Sequence, residues 1–136
     1  MIAMKTRYET VLLIDDSDID NFINKTTITN TRFATEVYVQ DNPEAALQFL
    51  NKIARGEEGV PLNLPQLIFL DINMPVMTGF EFMDEFEKLD EEVKRQCRVV
   101  MLSSSINRED KERAQSYPNI SRFLHKPLGK DHLKDL

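Results

Sequence analysis

Three short apolar runs in this chain stop abruptly at residues able to do chemistry. Val11-Leu12-Leu13-Ile14 ends at Asp15-Asp16, Leu67-Ile68-Phe69-Leu70 ends at Asp71, and Val99-Val100-Met101-Leu102 ends at Ser103-Ser104-Ser105. One such acid alone is explained equally well as a helix cap or the start of a turn. Gathered at one edge, the acids mean more. Two like charges about 4 Å apart repel by about 4 kcal/mol at an effective dielectric of about 20. Either one carboxylate titrates upward or a cation resides among them. Hard oxygen donors with room for water suit Mg²⁺, with Mn²⁺ as a substitute.

The surrounding pattern determines whether these residues can meet. Short apolar runs alternate with helical stretches about five times along the chain. After the first run, Ser17 or Asp16 can cap a helix whose apolar face is Ile19, Phe22, Ile23 and Thr26. Ala34 to Val39 alternates as a strand does. Asn42-Pro43 then starts a helix, with Pro43 at the first helical position and the stripe Ala46, Leu47, Phe49, Leu50 and Ile53. Gly56 to Pro65 holds two glycines and two prolines and reads as an extended loop. Thr78-Gly79 opens a helix with Phe80, Met83, Phe86 and Leu89 inward. A polar helix over Arg108 to Ser116 precedes a strand from Ile120 to Leu124, and the last helix follows Pro127.

Runs without polar alternation fit strands buried on both faces, and long crossovers fit parallel pairing. The expected fold is α/β, an open doubly wound five-stranded sheet, with the flavodoxin-like order 2-1-3-4-5 as the option among known arrangements. In such sheets ligands gather beyond the carboxyl ends of the strands, which is where Asp15, Asp16, Asp71 and Ser103 fall.

Composition narrows the function further. A chain of 136 residues suits one domain over 1–136, and 41% hydrophobic content supplies one core. The formal net charge of −6, without any long basic cluster, speaks against direct nucleic-acid binding. A lone Cys97 inside an apolar run excludes an intramolecular disulfide and a cysteine zinc site, and fits a small core residue. With no signal-peptide pattern and no run of membrane-spanning length, the expected location is cytoplasmic. Leu128 to Leu136 allow only a short final helix, which suits either a chain that continues or a trimmed one.

These motifs in this order resemble the receiver domains of two-component response regulators, including single-domain CheY-like ones. The resemblance rests on Val-Leu-Leu-Ile-Asp15-Asp16, Leu-Ile-Phe-Leu-Asp71-Ile-Asn-Met-Pro75-Val-Met-Thr-Gly79, Val-Val-Met-Leu-Ser103-Ser104 and Phe123-Leu-His-Lys126-Pro127. It implies that Asp71 is a phosphoryl acceptor forming an acyl phosphate. Asp16 is then a direct Mg²⁺ ligand, Asp15 its largely water-mediated partner, and the Asn73 carbonyl a further ligand. Lys126 is the counter-charge, and its bond to Pro127 is expected to be cis. Ser103 is the switch hydroxyl and Phe123 the switch aromatic, here without the hydroxyl of a tyrosine. Ser104 should be small beside the phosphoryl group, and Gly79 should give a permissive backbone there. Asn73 and Ser105 should flank the path of an attacking water, which the short Ser105 would orient poorly.

The implied donors are a histidine kinase or a histidine phosphotransfer protein, with an unknown protein target downstream and no membrane partner. A monomer and a phosphorylation-dependent dimer both fit. The domain is not expected to be an enzyme beyond self-phosphorylation from small donors and autodephosphorylation. One alternative is a receiver fragment of a larger regulator or hybrid kinase; another is a receiver-like module that is never phosphorylated. A third is a haloacid-dehalogenase-like Mg²⁺ phosphatase with an Asp nucleophile. That chemistry wants a second acid two residues after the nucleophile, where this chain has Asn73.

Overall fold

A computed structural model describes residues 6–105 and 107–136. Strands β1 (Tyr8–Ile14), β2 (Ala34–Gln40), β3 (Leu67–Asp71), β4 (Arg98–Ser103) and β5 (Ile120–His125) form one sheet. Its order is β2-β1-β3-β4-β5, with every neighbouring pair parallel. Helices α1 (Asp18–Asn30), α2 (Pro43–Ala54), α3 (Gly79–Phe86), α4 (Glu91–Gln96), α5 (Arg108–Gln115) and α6 (Lys130–Lys134) make the crossovers and the end. This is the flavodoxin-like doubly wound sheet that the alternating runs lead one to expect.

Each central strand sends alternate side chains to opposite faces, as the pleat requires. Leu12, Ile14, Ile68, Leu70, Val99 and Met101 pack with α2, α3 and α4 on one side. Val11, Leu13, Leu67, Phe69, Val100 and Leu102 pack on the other with Ile28, Leu133 and Leu136. Because β1, β3 and β4 are covered on both faces, they carry no polar alternation; the edge strands β2 and β5 are only partly buried.

Local chemistry explains most boundaries. Asn42 caps α2 by accepting from the Ala45 N–H at 3.0 Å, with Pro43 opening the helix. Gly56 follows that helix at φ 68°, a conformation that glycine adopts without strain. Thr78 and Glu81 form a reciprocal capping box at the start of α3. Cys97 is fully buried, and burial pushes its thiol up to about 12, as befits a core residue.

Two features depart from the sequence reading. The helix α4 is an addition: Glu91 to Gln96 contains a single inward apolar residue, Val93, so no stripe announces it. Its exposed side pairs Glu91 with Lys94 at 2.7 Å and Glu92 with Arg95. The second departure concerns α1, whose expected inward stripe faces solvent. Ile19 and Phe22 are 71% and 72% exposed, Ile23 and Thr26 are also exposed, and the buried residues are Asn21, Asn24 and Ile28. The reason lies in the bonds made by those asparagines.

Candidate functional site

At the carboxyl ends of β1 and β3, backbone bonds set the acids before any side-chain charge matters. The Asp15 N–H donates to the Gln40 carbonyl at 3.2 Å, and the Ile72 N–H donates to the Leu102 carbonyl at 3.0 Å. The Lys126 N–H donates to the Ser103 carbonyl at 2.8 Å, which draws the end of β5 against the end of β4. Gly79 lies against the same floor. A Cβ there would meet the Asp71 carbonyl oxygen at 2.8 Å and the Ile72 Cα at 2.9 Å, so only glycine fits without displacement.

Helix α1 secures the other wall. Asn21 donates through Nδ2 to the Asp15 carbonyl at 2.7 Å. Asn24 accepts the Leu128 N–H on Oδ1 at 3.0 Å, fixing the chain just beyond the cis Lys126–Pro127 bond. Left unmade, each buried bond would cost about 1–3 kcal/mol. The pair of bonds therefore rivals the roughly 1.5–3 kcal/mol gained by burying one large apolar side chain. This is why the helix rolls its asparagines inward and its apolar stripe outward.

In the resulting pocket Asp15, Asp16 and Asp71 present carboxylate oxygens within 4.8 Å of one another; Asp15 and Asp71 are buried and Asp16 is exposed. Lys126 stands among them with its side chain 11% exposed. Its Nζ lies 2.7 Å from Asp15 Oδ2, 3.2 Å from Asp71 Oδ1 and 2.8 Å from Asp20 Oδ2. Asp71 Oδ1 also accepts the Asn73 N–H at 3.3 Å. Burial, and then the charge of Asp15, push the Asp71 carboxyl up to about 6, against the smaller opposing pull of Lys126 and the Asn73 N–H. Burial alone would lower the Lys126 ammonium, but its contacts with Asp15 and Asp20 and the charge of Asp71 raise it above the ordinary lysine range.

The all-oxygen donor set fits a hard divalent cation, and a single ammonium stands among the three acids. The backbone bonds above bring Asp15, Asp71, Asn73, Ser103 and Lys126 to one end of the sheet. Ser103 is buried, and its hydroxyl is engaged by its own loop: it donates to the Ser105 carbonyl and accepts the Ser105 N–H at 3.2 Å. Ser104 and Ser105 are exposed on that loop. Phe123 lies outside the acid pocket, half-buried in a cleft that it shares with Lys111, Ala114 and Gln115 of α5. Met74 is buried and fills the loop after β3.

Sequence reasoning missed Asp20, Asn21 and Asn24, which lie off the apolar stripe read for this helix. One signal pointed to Asp20. It lies three residues after the capping Ser17, whose Oγ accepts the Asp20 N–H at 3.2 Å, a spacing that holds it in the first turn beside Asp16.

Comparison with known proteins agrees with this fold. The model of the response regulator receiver domain matches residues 11–136. The response regulator Rcp1 of Synechocystis sp. is 33% identical over 101 residues, which are 74% of this chain and 65% of that protein. A two-component response regulator from Cytophaga hutchinsonii superposes with a TM-score of 0.86 at 32% identity, covering 97% of this chain and 94% of that one. The Mn²⁺-bound form of response regulator Rcp1 superposes with a TM-score of 0.71 at 25% identity, covering 93% of this chain and 87% of that one.

Proposed function

The chain belongs to the response regulator receiver domain family, and from that premise we propose that it accepts a phosphoryl group on Asp71 and signals by protein contacts. The observation that carries this reading is the Lys126 ammonium held 3.2 Å from Asp71 Oδ1 and 2.7 Å from Asp15 Oδ2 in a pocket of three acids. In this reading Asp71 Oδ1 stays with Lys126 and the Asn73 N–H, and Oδ2 attacks phosphorus. The new O–P bond forms as the donor's bond to phosphorus breaks, that of a phosphohistidine or of a small acyl phosphate. The electron pair leaves on the donor's imidazole nitrogen or carboxylate oxygen.

Asp15, Asp16, Asp71 and the Asn73 carbonyl would hold Mg²⁺ or Mn²⁺, which when bound neutralises charge on the phosphoryl oxygens. Lys126 supplies the other counter-charge as a compact cation. Ser103 turns its hydroxyl from Ser105 to a phosphoryl oxygen, which draws the loop after β4 inward, and Phe123 repacks in its cleft by α5. Asn73 and Ser105 are exposed beside the route of a hydrolytic water, and the short Ser105 gives that water little orientation. Residues 1–136 act as one cytoplasmic receiver unit in this account. The exposed Ile19, Phe22 and Ile23 on α1 offer a protein donor an apolar landing beside the pocket. A histidine kinase or phosphotransfer protein is the donor class that the family implies.

The test is incubation with acetyl phosphate, with and without Mg²⁺, followed by intact mass. One added phosphoryl group that requires Mg²⁺ and is absent from Asp71→Asn supports the reading; labelling that survives in Asp71→Asn overturns it.

A further inference from the structure

Lys126 has more partners than its role toward Asp71 requires. An ammonium carries three N–H donors, and three carboxylates surround this one: Asp15 at 2.7 Å, Asp20 at 2.8 Å and Asp71 at 3.2 Å. Asp15 and Asp71 belong to the group able to hold a cation, and Asp20 does not. Asp20 reaches in from the first turn of α1, where the Ser17 cap pins its backbone, and its side chain is 38% exposed at the pocket rim. Asp15 and Asp71 would share their oxygens between a bound cation and the ammonium, whereas Asp20 lies outside that group.

We propose that Asp20 is a positioning residue, a resting-state tether that keeps the Lys126 ammonium on the α1 side of the pocket and opposes its move to a phosphoryl group. The inference rests on the phosphoacceptor reading above. Hydrogen-bonded to Asp20 and ion-paired with Asp15 and Asp71, the Lys126 ammonium can move to a phosphoryl oxygen only by loosening these contacts. Asp20 is the partner that competes by charge and by hydrogen bond alike. The strength of this pair therefore sets how readily the activated arrangement forms.

Beryllofluoride binding in saturating Mg²⁺, followed by NMR, reads the competition. Asp20→Asn should bind up to about fivefold more tightly than wild type, the order expected for one partly exposed ion pair. Asp18→Asn removes the same charge from the same helical turn and serves as the control; a smaller gain is expected there. In a Lys126→Met background the advantage of Asp20→Asn over Asp18→Asn should disappear. A metal-free readout is the ¹H–¹⁵N signal of the Lys126 ammonium, whose exchange with water should quicken in Asp20→Asn and not in Asp18→Asn. Equal gains in the two variants, or weaker binding in Asp20→Asn, overturn the tether. If wild type itself does not bind beryllofluoride, the phosphoacceptor reading falls, while ammonium exchange still shows whether Asp20 holds Lys126.

Discussion

Helices α1 and α3 cover opposite faces of one sheet, yet different forces seat them. In α3 the apolar stripe faces the core, with Phe82, Met83 and Phe86 fully enclosed. In α1 the buried residues are Asn21, Asn24 and Ile28, while Ile19 and Phe22 stand in solvent. A helix that fills the core follows its apolar stripe. A helix that builds a site follows its hydrogen bonds, because a buried carbonyl or N–H left unpaired costs as much as a large side chain gains.

Truncation should expose this contrast most sharply on the packed side. Phe86→Ala is expected to lose about 3–5 kcal/mol in urea denaturation, the usual result of emptying a fully buried aromatic site. A loss below about 1 kcal/mol would mean that α3 is not seated by burial.

The pocket beside α1 should show the opposite, a native residue that weakens the fold. The Asp71 carboxyl is raised from 3.8 to about 6, so the folded protein binds its proton more tightly than the unfolded chain does. Stability contributed by that proton is present below about pH 4 and is lost as pH rises through about 6. In metal-free buffer at pH 7, Asp71→Asn should therefore be more stable than wild type, by at most about 3 kcal/mol. The gap should close toward pH 4, and Mg²⁺ should close it at pH 7 by stabilising wild type alone. Equal denaturation midpoints at pH 7 without metal would contradict the cost of burying the Asp71 charge beside Asp15.

On α1 the polar residues should matter more than the apolar ones. Asn24→Leu adds apolar surface yet strands the buried Leu128 N–H, and is expected to lose about 1–3 kcal/mol. Phe22→Ser should change stability by less than about 0.5 kcal/mol and leave labelling by acetyl phosphate unchanged. A larger loss in Phe22→Ser than in Asn24→Leu, by thermal or urea unfolding, would reverse the account of how α1 is seated.

The same contrast explains what was legible beforehand. The continuous runs ending at Ile14, Leu70 and Leu102 announced buried parallel strands, because only strands covered on both faces lack polar alternation. Asp15, Asp16, Asp71, Ser103 and Lys126 could be singled out because each follows such a run or stands just before Pro127. The inward side of α1 was not legible. Periodicity reports where burial would be favourable, and carries no record that the Asp15 carbonyl and the Leu128 N–H need side-chain partners. Helix α4 escaped for a related reason: one buried valine among charged residues makes no stripe. Asp20 was hidden because its partner lies 106 residues away, across the sheet edge.

The central claim, that Asp71 is the acceptor, is tested most directly by locating the phosphoryl group. Protein labelled with acetyl phosphate and Mg²⁺ is reduced with borohydride, which converts an aspartyl phosphate into homoserine with release of phosphate, and the peptides are then sequenced by mass. Homoserine at position 71 and at no other aspartate is the predicted result. Homoserine at position 15, 16 or 20, or none at all in protein that had gained the phosphoryl mass, would contradict it.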